Sequence, residues 1–256
     1  MISWEAYFDR VVSLRMQFDI ARKAISGFVG TPEAVERYLN EELEDIRELM
    51  HEAAEKSGTD PKTTWAFTPE GVDRYLGGLR DGLPTRLAEV DNRLNQNELL
   101  LRVAVFEAFM KDLHREVLRQ KPVLLRSDRS VPIGRVIATG WEHVLAEEIE
   151  REVQSLDRRS VEQRAAYFRE TLGIDWFDGK IVPILAHVIN ERNAILHNHP
   201  DRLVDRVIMQ LTHVVCVAIP WVSVVQAAVL YPDGFEMIGG VSEDEVRRVF
   251  LKGKGA

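Results

Sequence analysis

The segment LLLRVAVFEAFM, residues 99–110, is apolar at ten of its twelve positions. It is the second half of a helical pattern that continues to about Arg119, before Lys121-Pro122. A helix that is apolar on nearly every side is buried on most of its faces. We therefore predict a core helix here. Glu107 within it is either a buried partner for an Arg or His, or a carboxylate at the edge of the core.

Helical signals extend outward from this segment in both directions. Thr31-Pro32-Glu33 and Thr68-Pro69-Glu70 each place a capping hydroxyl before a proline and an acid, which is a helix start. Gly58 predicts a helix end, and Gly82-Leu83-Pro84 predicts a break. No series of apolar residues with period two is present, so we predict an all-α fold. The later helices are expected over 132–155, 160–172 and 179–197, and from an Asp201 cap to Leu230.

Composition limits the classes of protein that this chain can belong to. The net charge of −8 argues against a protein that coats nucleic acid non-specifically. The charge is uneven, at −7 for residues 1–98 and −1 for residues 99–256, so an anionic partner should meet the second part. Cys216 is the single cysteine, which excludes an intrachain disulfide. The first residues lack a basic region before an apolar stretch, so we expect a cytoplasmic protein.

The run from Leu211 to Tyr231 is as long as a membrane span, which needs about 20 residues. It contains Thr212, His213, Ser223 and Gln226, polar groups that a lipid environment tolerates poorly. We therefore interpret the run as a helix of the core or of a dimer interface.

The stretch ERNAILHNHP, residues 191–200, contains the pattern most suggestive of chemistry. Arg192 and Asn193 are followed by three residues and then His197, at the end of one helical pattern. The alternative interpretation is structural. Glu191 and Arg192 would then be exposed helix charges, and His197 a cation that interacts with the helix C-terminus.

This pattern resembles the Arg-Asn-x-x-x-His signature of the HEPN family, and the apolar helix around Phe106-Glu107-Ala108-Phe109 resembles the first helix of HEPN domains. The resemblance covers roughly residues 95–232. It implies a HEPN-like up-and-down four-helix bundle, here preceded by an N-terminal helical region, that pairs into a homodimer. In active members, motifs from two subunits face each other and cleave RNA without a metal ion.

The resemblance assigns roles to named residues. Arg192 and His197 would be catalytic, with His197 as the base for the RNA 2′-OH and Arg192 as the cation for the developing phosphate charge. Asn193, Glu107, Lys111 and Arg115 would be auxiliary residues that position the substrate. Lys111 and Arg115 form a stripe with Arg119, which is either a solvated face or a path for the RNA backbone. No zinc spacing or Gly-rich phosphate loop occurs, so we predict no metal and no cofactor.

Three functions remain open from the sequence. The first is a metal-independent endoribonuclease with a toxin-like or antiviral role, an RNA substrate and a regulatory or neutralising partner protein. The second is a catalytically inactive HEPN module that binds nucleotide or a protein partner. The third is a helical interaction protein without a nucleic-acid role. Some HEPN toxins carry a modified tyrosine two positions after the motif histidine. This chain has His199 at that position, so we do not expect its activity to be controlled by such a modification.

The sequence predicts three regions. Residues 1–94 form an acidic regulatory or oligomerising segment, residues 95–232 the HEPN-like domain, and residues 233–256 a C-terminal tail.

Overall fold

The chain divides into two compact units. One unit comprises Met16–Asn95, and the other combines Met1–Arg15 with Gln96–Ala256. The predicted all-α class is confirmed, since the described residues contain helices and turns but no strand. The computed structural model describes residues 4–29, 31–58, 69–125, 131–197 and 202–231.

The described residues form α-helices and two short 3-10 helices, Pro122–Leu124 and Phe177–Gly179. The α-helices, in chain order, are α1 (Trp4–Val29), α2 (Pro32–Ser57), α3 (Pro69–Gln120), α4 (Ile133–Thr139), α5 (Trp141–Leu156), α6 (Val161–Leu172), α7 (Val182–Leu196) and α8 (Arg206–Leu230).

The predicted helix starts in the first part of the chain are confirmed. α2 begins at Pro32, and Gly58 follows its last residue with a positive φ of 68°, a conformation that glycine adopts without steric penalty. The predicted break at Gly82-Leu83-Pro84 is wrong, because α3 runs without interruption from Pro69 to Gln120. Proline destabilises a helix because it lacks a backbone N–H and crowds the preceding turn. Its fixed φ is nevertheless helical, so the helix can continue through it.

The unit of residues 16–95 contains most of α1, all of α2 and the first part of α3. Arg22 joins two of its helices, because one Nη of its guanidinium donates to the Asn95 side chain at 2.7 Å and the other to Asp19 at 3.1 Å. Leu39 of α2 is almost completely buried.

In the second unit, α6 has the clearest local signals. Ser160 caps it through a reciprocal capping box with Gln163, and Gly173 ends it in the left-handed conformation at φ 71°. Both ends match the prediction. The single helix expected over 132–155 is instead divided at Gly140, whose φ of 84° separates α4 from α5.

α8 is the central apolar helix of this unit, and it packs against α7. Its cap is Asp205, whose carboxylate accepts from the N–H of Ile208 at 2.9 Å. The predicted cap at Asp201 is therefore wrong, because the chain reaches the helical conformation only at Arg206. Asp201 itself lies outside the described residues, as does the tail 233–256.

By length and composition, α8 is the one helix among the described residues that is apolar enough to cross a membrane. Its polar side chains nevertheless have partners within the protein. Ser223 accepts from the indole N–H of Trp176 at 3.1 Å, and Gln226 exchanges two hydrogen bonds with the backbone of Asp175. Thr212 donates to the carbonyl of Ile208. These bonds satisfy the buried polar groups, as expected of a core helix.

Candidate functional site

The motif residues occupy the last turns of α7 and its C-terminal cap. Arg192 and Asn193 lie within the helix, and the Arg192 side chain is 23% exposed. His197 caps the helix, where its backbone N–H donates to the Asn193 carbonyl at 2.9 Å and its side chain is exposed. The helix therefore ends at the histidine and presents it to solvent.

The guanidinium of Arg192 is held at two points. One Nη donates to the Asn193 side-chain oxygen at 2.8 Å, and the other Nη donates to Glu107 Oε2 in an ion pair. Glu107 belongs to α3, 85 residues earlier in the chain. The predicted cationic partner of Glu107 is thus present. Because Arg192 is anchored by a carboxylate and an amide, the direction of its planar fork is set by the fold.

Arg164 of α6 also approaches Glu107, a contact that no pattern in the sequence indicates. Its Nη1 lies 3.7 Å from Glu107 Oε1, and two of its other N–H groups donate to the backbone carbonyls of Arg159 and Asp157. One carboxylate therefore lies between two guanidinium groups. No spacing rule relates Glu107 to Arg164, which is 57 residues away in the sequence, so only the packing of α6 against the core could identify it.

A small cavity of about 40 Å³ lies beside this cluster. A single water molecule needs about 10–15 Å³ of such space, so the cavity has room for a few waters and is too small for a nucleobase. A polynucleotide would therefore have to bind along the surface. The cavity is lined by the side chains of Phe106, Met110, Phe168, Trp176 and Leu185, with Glu107, Lys111 and Arg164 among its polar residues.

The predicted basic stripe has carboxylate partners along its whole length. Lys111 pairs with Asp157 at 2.8 Å, and Arg115 pairs with Glu150 at 3.0 Å and also with Asp112. Arg119 lies 3.7 Å from Glu116. These pairs compensate most of the positive charge of the stripe. The structure thus brings Glu107 and Asn193 to Arg192, whereas Lys111 and Arg115 interact with acids outside this cluster.

Within one chain, Arg192 and His197 do not bond to each other in the described part of the structure. Positions five apart in a regular helix differ in direction by about 140°, so their side chains leave the helix on different sides. A site that uses both groups on one phosphate therefore needs a contribution from elsewhere, such as a second copy of the chain.

Large apolar side chains are exposed around the end of α7. Leu196, directly before His197, is 54% exposed, and Leu203, in the connection to α8, is 76% exposed. On α8, Val207 and Val214 are 59% and 48% exposed. Clusters of exposed apolar groups in soluble proteins commonly mark interaction surfaces. The chain from the end of α7 into the first half of α8 thus exposes several large apolar side chains.

Glu191, directly before the motif arginine, is not the exposed helix charge of the structural interpretation. Its side chain is 6% exposed, and both of its carboxylate oxygens accept from Arg202, each at 2.6 Å. The hydrogen bond from Arg202 lowers the pKa of Glu191, against the smaller opposing effect of burial. Glu191 is therefore a buried, ionised residue with a bidentate partner.

Two of the other histidines in the same unit, His114 and His213, have lowered pKa values. His114 is fully buried, and burial, with Arg159 and Arg115 nearby, lowers its pKa to about 3. It contacts the Tyr167 hydroxyl at 3.1 Å and has no access to a substrate. His213 is half-buried between Arg102 at 3.1 Å and Arg15 at 3.4 Å, and burial is the main cause of its lowered pKa. Arg15, Arg102 and His213 thus form an arginine–histidine cluster that the sequence spacing did not indicate.

The described residues contain no group of three or more His, Cys, Asp or Glu side chains arranged to hold a metal ion. Cys216 is buried, and burial raises the pKa of its thiol to about 12, so it is a poor nucleophile. Comparisons of the chain with protein family models, with curated proteins and with solved structures found no match.

Proposed function

We propose that this chain is a metal-independent endoribonuclease whose site combines Arg192 and His197 at a homodimer interface. The observation that carries the proposal is the anchoring of Arg192 by Glu107 and Asn193, in a helix that ends at an exposed histidine. An accessible imidazole can act as the base for the 2′-OH, and a fixed guanidinium fork can stabilise the charge that develops on the phosphate. Under this proposal residues 95–232 form a HEPN-like four-helix bundle, and the protein has a toxin-like or antiviral role.

RNA supplies its own nucleophile in this reaction. His197 accepts the proton of a 2′-OH, and the 2′-oxygen attacks the neighbouring phosphorus. The bond from phosphorus to the 5′-oxygen breaks, and that oxygen takes a proton from a water molecule to leave as a 5′-OH. The protonated His197 returns its proton to the hydroxide that remains, which restores the base. Arg192 donates to the non-bridging phosphate oxygens, on which charge accumulates in the transition state. The products are a 2′,3′-cyclic phosphate and a 5′-OH.

Arg192 and His197 leave their helix on different sides, so a second copy of the chain is needed to bring both groups to one phosphate. In a two-fold dimer the same surface meets itself, so His197 of one copy can approach Arg192 of the other. The exposed side chains Leu196, Leu203, Val207 and Val214 provide the apolar surface that such an interface would cover.

The same contacts also favour an alternative, a catalytically inactive module that binds nucleotide or a protein partner. Glu107 already occupies one side of the Arg192 fork, and a carboxylate there competes with a phosphate for the same donors. An inactive module would bind RNA or nucleotide without cleaving it, so binding and cleavage must be measured on the same preparation.

Incubation of the purified protein with total RNA in EDTA tests the proposed function. We expect cleavage to persist under chelation, because the proposed chemistry uses an imidazole and a guanidinium only. The new termini should be 2′,3′-cyclic phosphates and 5′-hydroxyls, identified by mass spectrometry of the fragments. A His197→Ala preparation made in parallel controls for contaminating ribonucleases, which can leave the same termini. Activity that disappears with EDTA, or fragments with 5′-phosphates, would rule out the mechanism.

The wild-type protein should be a dimer at micromolar concentration, and Val214→Asp should make it monomeric. Burial of an unpaired charge costs several kcal/mol, so the dissociation constant should rise roughly 100-fold or more. Ile133→Asp is the matched control, because Ile133 of α4 is 76% exposed but lies outside the proposed interface. Light scattering measures the masses of the three proteins. A monomeric wild type would contradict both the dimer and the composite site.

A further inference from the structure

The pair of Glu191 and Arg202 connects the two ends of the segment that contains His197. Glu191 lies one turn and a half before the end of α7, and Arg202 follows the residues 198–201, which lie outside the described part of the chain. Nε and Nη2 of Arg202 each donate to a different oxygen of Glu191 at 2.6 Å. This bidentate geometry fixes direction as well as distance.

Helix α3 also contacts Arg202. The Gln96 side-chain amide, on α3, donates to the backbone carbonyl of Arg202 at 2.8 Å. Asp205, three residues later, caps α8 through its bond to the Ile208 N–H. Arg202 is therefore tied by its side chain to α7 and by its backbone to α3, directly before the start of α8.

We propose that Glu191 and Arg202 are positioning residues that hold the end of α7, and with it the His197 imidazole, in one orientation. This inference rests on the proposed function for its catalytic consequence. His197 is exposed and lies at the last position of its helix, where helix ends fray most easily. A clamp between residues 191 and 202 restrains the chain on both sides of the histidine. It also restrains Leu196 and Leu203, which belong to the proposed dimer surface.

The two members of the pair differ in burial, and this difference decides which variant to use. Glu191 is 6% exposed, whereas Arg202 is 45% exposed. Loss of Arg202 would leave a buried carboxylate without its cation, which destabilises the fold strongly. Glu191→Gln removes the buried charge and leaves Arg202 accessible to water. The glutamine variant should therefore fold while the clamp is weakened.

The experiment compares full-length wild type, Glu191→Gln and Arg202→Lys, with Arg169→Gln as control. Arg169 is 53% exposed and pairs with Glu170 at 3.2 Å on α6, so this change removes an arginine–glutamate pair away from the motif. Two quantities are measured. One is the NMR cross-peak of the His197 imidazole Cε1–H group, assigned by its absence in His197→Ala. The other is RNA cleavage, separated into kcat and KM.

In Glu191→Gln we expect the His197 cross-peak to shift or broaden and kcat to fall by roughly 10- to 100-fold, because a misplacement of about 1 Å can cost 10²-fold in rate. KM should change little, since Arg192 is untouched. Arg202→Lys keeps the charge but loses the fork, so both effects should be intermediate. Arg169→Gln should resemble wild type.

An unchanged His197 cross-peak and an unchanged kcat in folded Glu191→Gln would overturn the positioning role. If the wild type cleaves no RNA, the proposed function fails, but the cross-peak still decides whether the pair orients the histidine. Loss of kcat without any change at His197 would also overturn the inference, because the pair would then act on another group.

Discussion

His197→Ala should reduce RNA cleavage by about 10²- to 10⁴-fold, the usual contribution of a general acid–base group. Fold and dimer should remain intact, because the His197 side chain is exposed and only its backbone N–H takes part in the helix end. Cleavage of a labelled RNA and the melting temperature are measured on the same preparations. His187→Ala is the matched control, since His187 is an exposed histidine of the same helix, ten residues before the motif residue.

The cluster of Arg15, Arg102 and His213 suggests a rival catalytic base, His213, which the same assay tests. His213→Ala removes the imidazole between Arg102 and Arg15. We expect this variant to cleave RNA at a rate close to wild type. If His213→Ala is inactive while His197→Ala is active, the base is His213 and the assignment of His197 is withdrawn. If both variants cleave RNA at the wild-type rate, the cleavage comes from another site of the protein or from a contaminating ribonuclease.

Arg192→Lys should lose most of the activity, by roughly 10²- to 10³-fold, which is the typical effect of removing one transition-state donor. Lysine keeps the positive charge but has no planar fork. It cannot contact Asn193 and Glu107 and also donate to two phosphate oxygens in a fixed geometry. Glu107 remains near Arg164 in this variant, so its carboxylate keeps a cation at 3.7 Å. We therefore expect only a small change in melting temperature.

Arg169→Lys is the control for this substitution, because it makes the same chemical change in an exposed ion pair of α6. It should leave cleavage and stability at wild-type values. Retained cleavage in Arg192→Lys would show that a point charge is sufficient and that the fork has no role. If Arg192→Lys and His197→Ala both unfold, the motif is structural, and the inactive binding module becomes the better account of this chain.

Much of the secondary structure could be predicted from local signals. The start of α2 at Pro32 depends on a few adjacent residues and is where the sequence places it, and the helix expected over 160–172 matches α6. The predicted helix break at Gly82-Leu83-Pro84 failed because a local preference against helix was outweighed by the rest of the fold. Gly82 and Pro84 lower helix propensity, but the continuous α3 shows that the rest of the fold outweighs that cost.

Some residues of the candidate site could likewise be identified from the sequence, whereas others could be identified only from the structure. The order Arg192, Asn193, His197 and the isolated charge of Glu107 are visible in the sequence, and they identified a pair that the structure brings into contact. Arg164 and Arg202 carry no such signal. Arg164 meets Glu107 through the packing of two helices, and Arg202 meets Glu191 from the connection between α7 and α8, so neither contact is encoded in a local pattern.

The sequence by itself determined that the described chain is helical, where several helices begin and end, and which residues deserve attention at the end of α7. Helix caps, turns and apolar periodicity act over a few residues, so they can be interpreted without knowing the fold. Only the tertiary structure decided which charges are paired. Glu191 appears as an ordinary surface residue in the sequence, yet it is buried against Arg202. The reason is physical: a buried charge requires a partner, but which side chain becomes that partner depends on the tertiary structure around it.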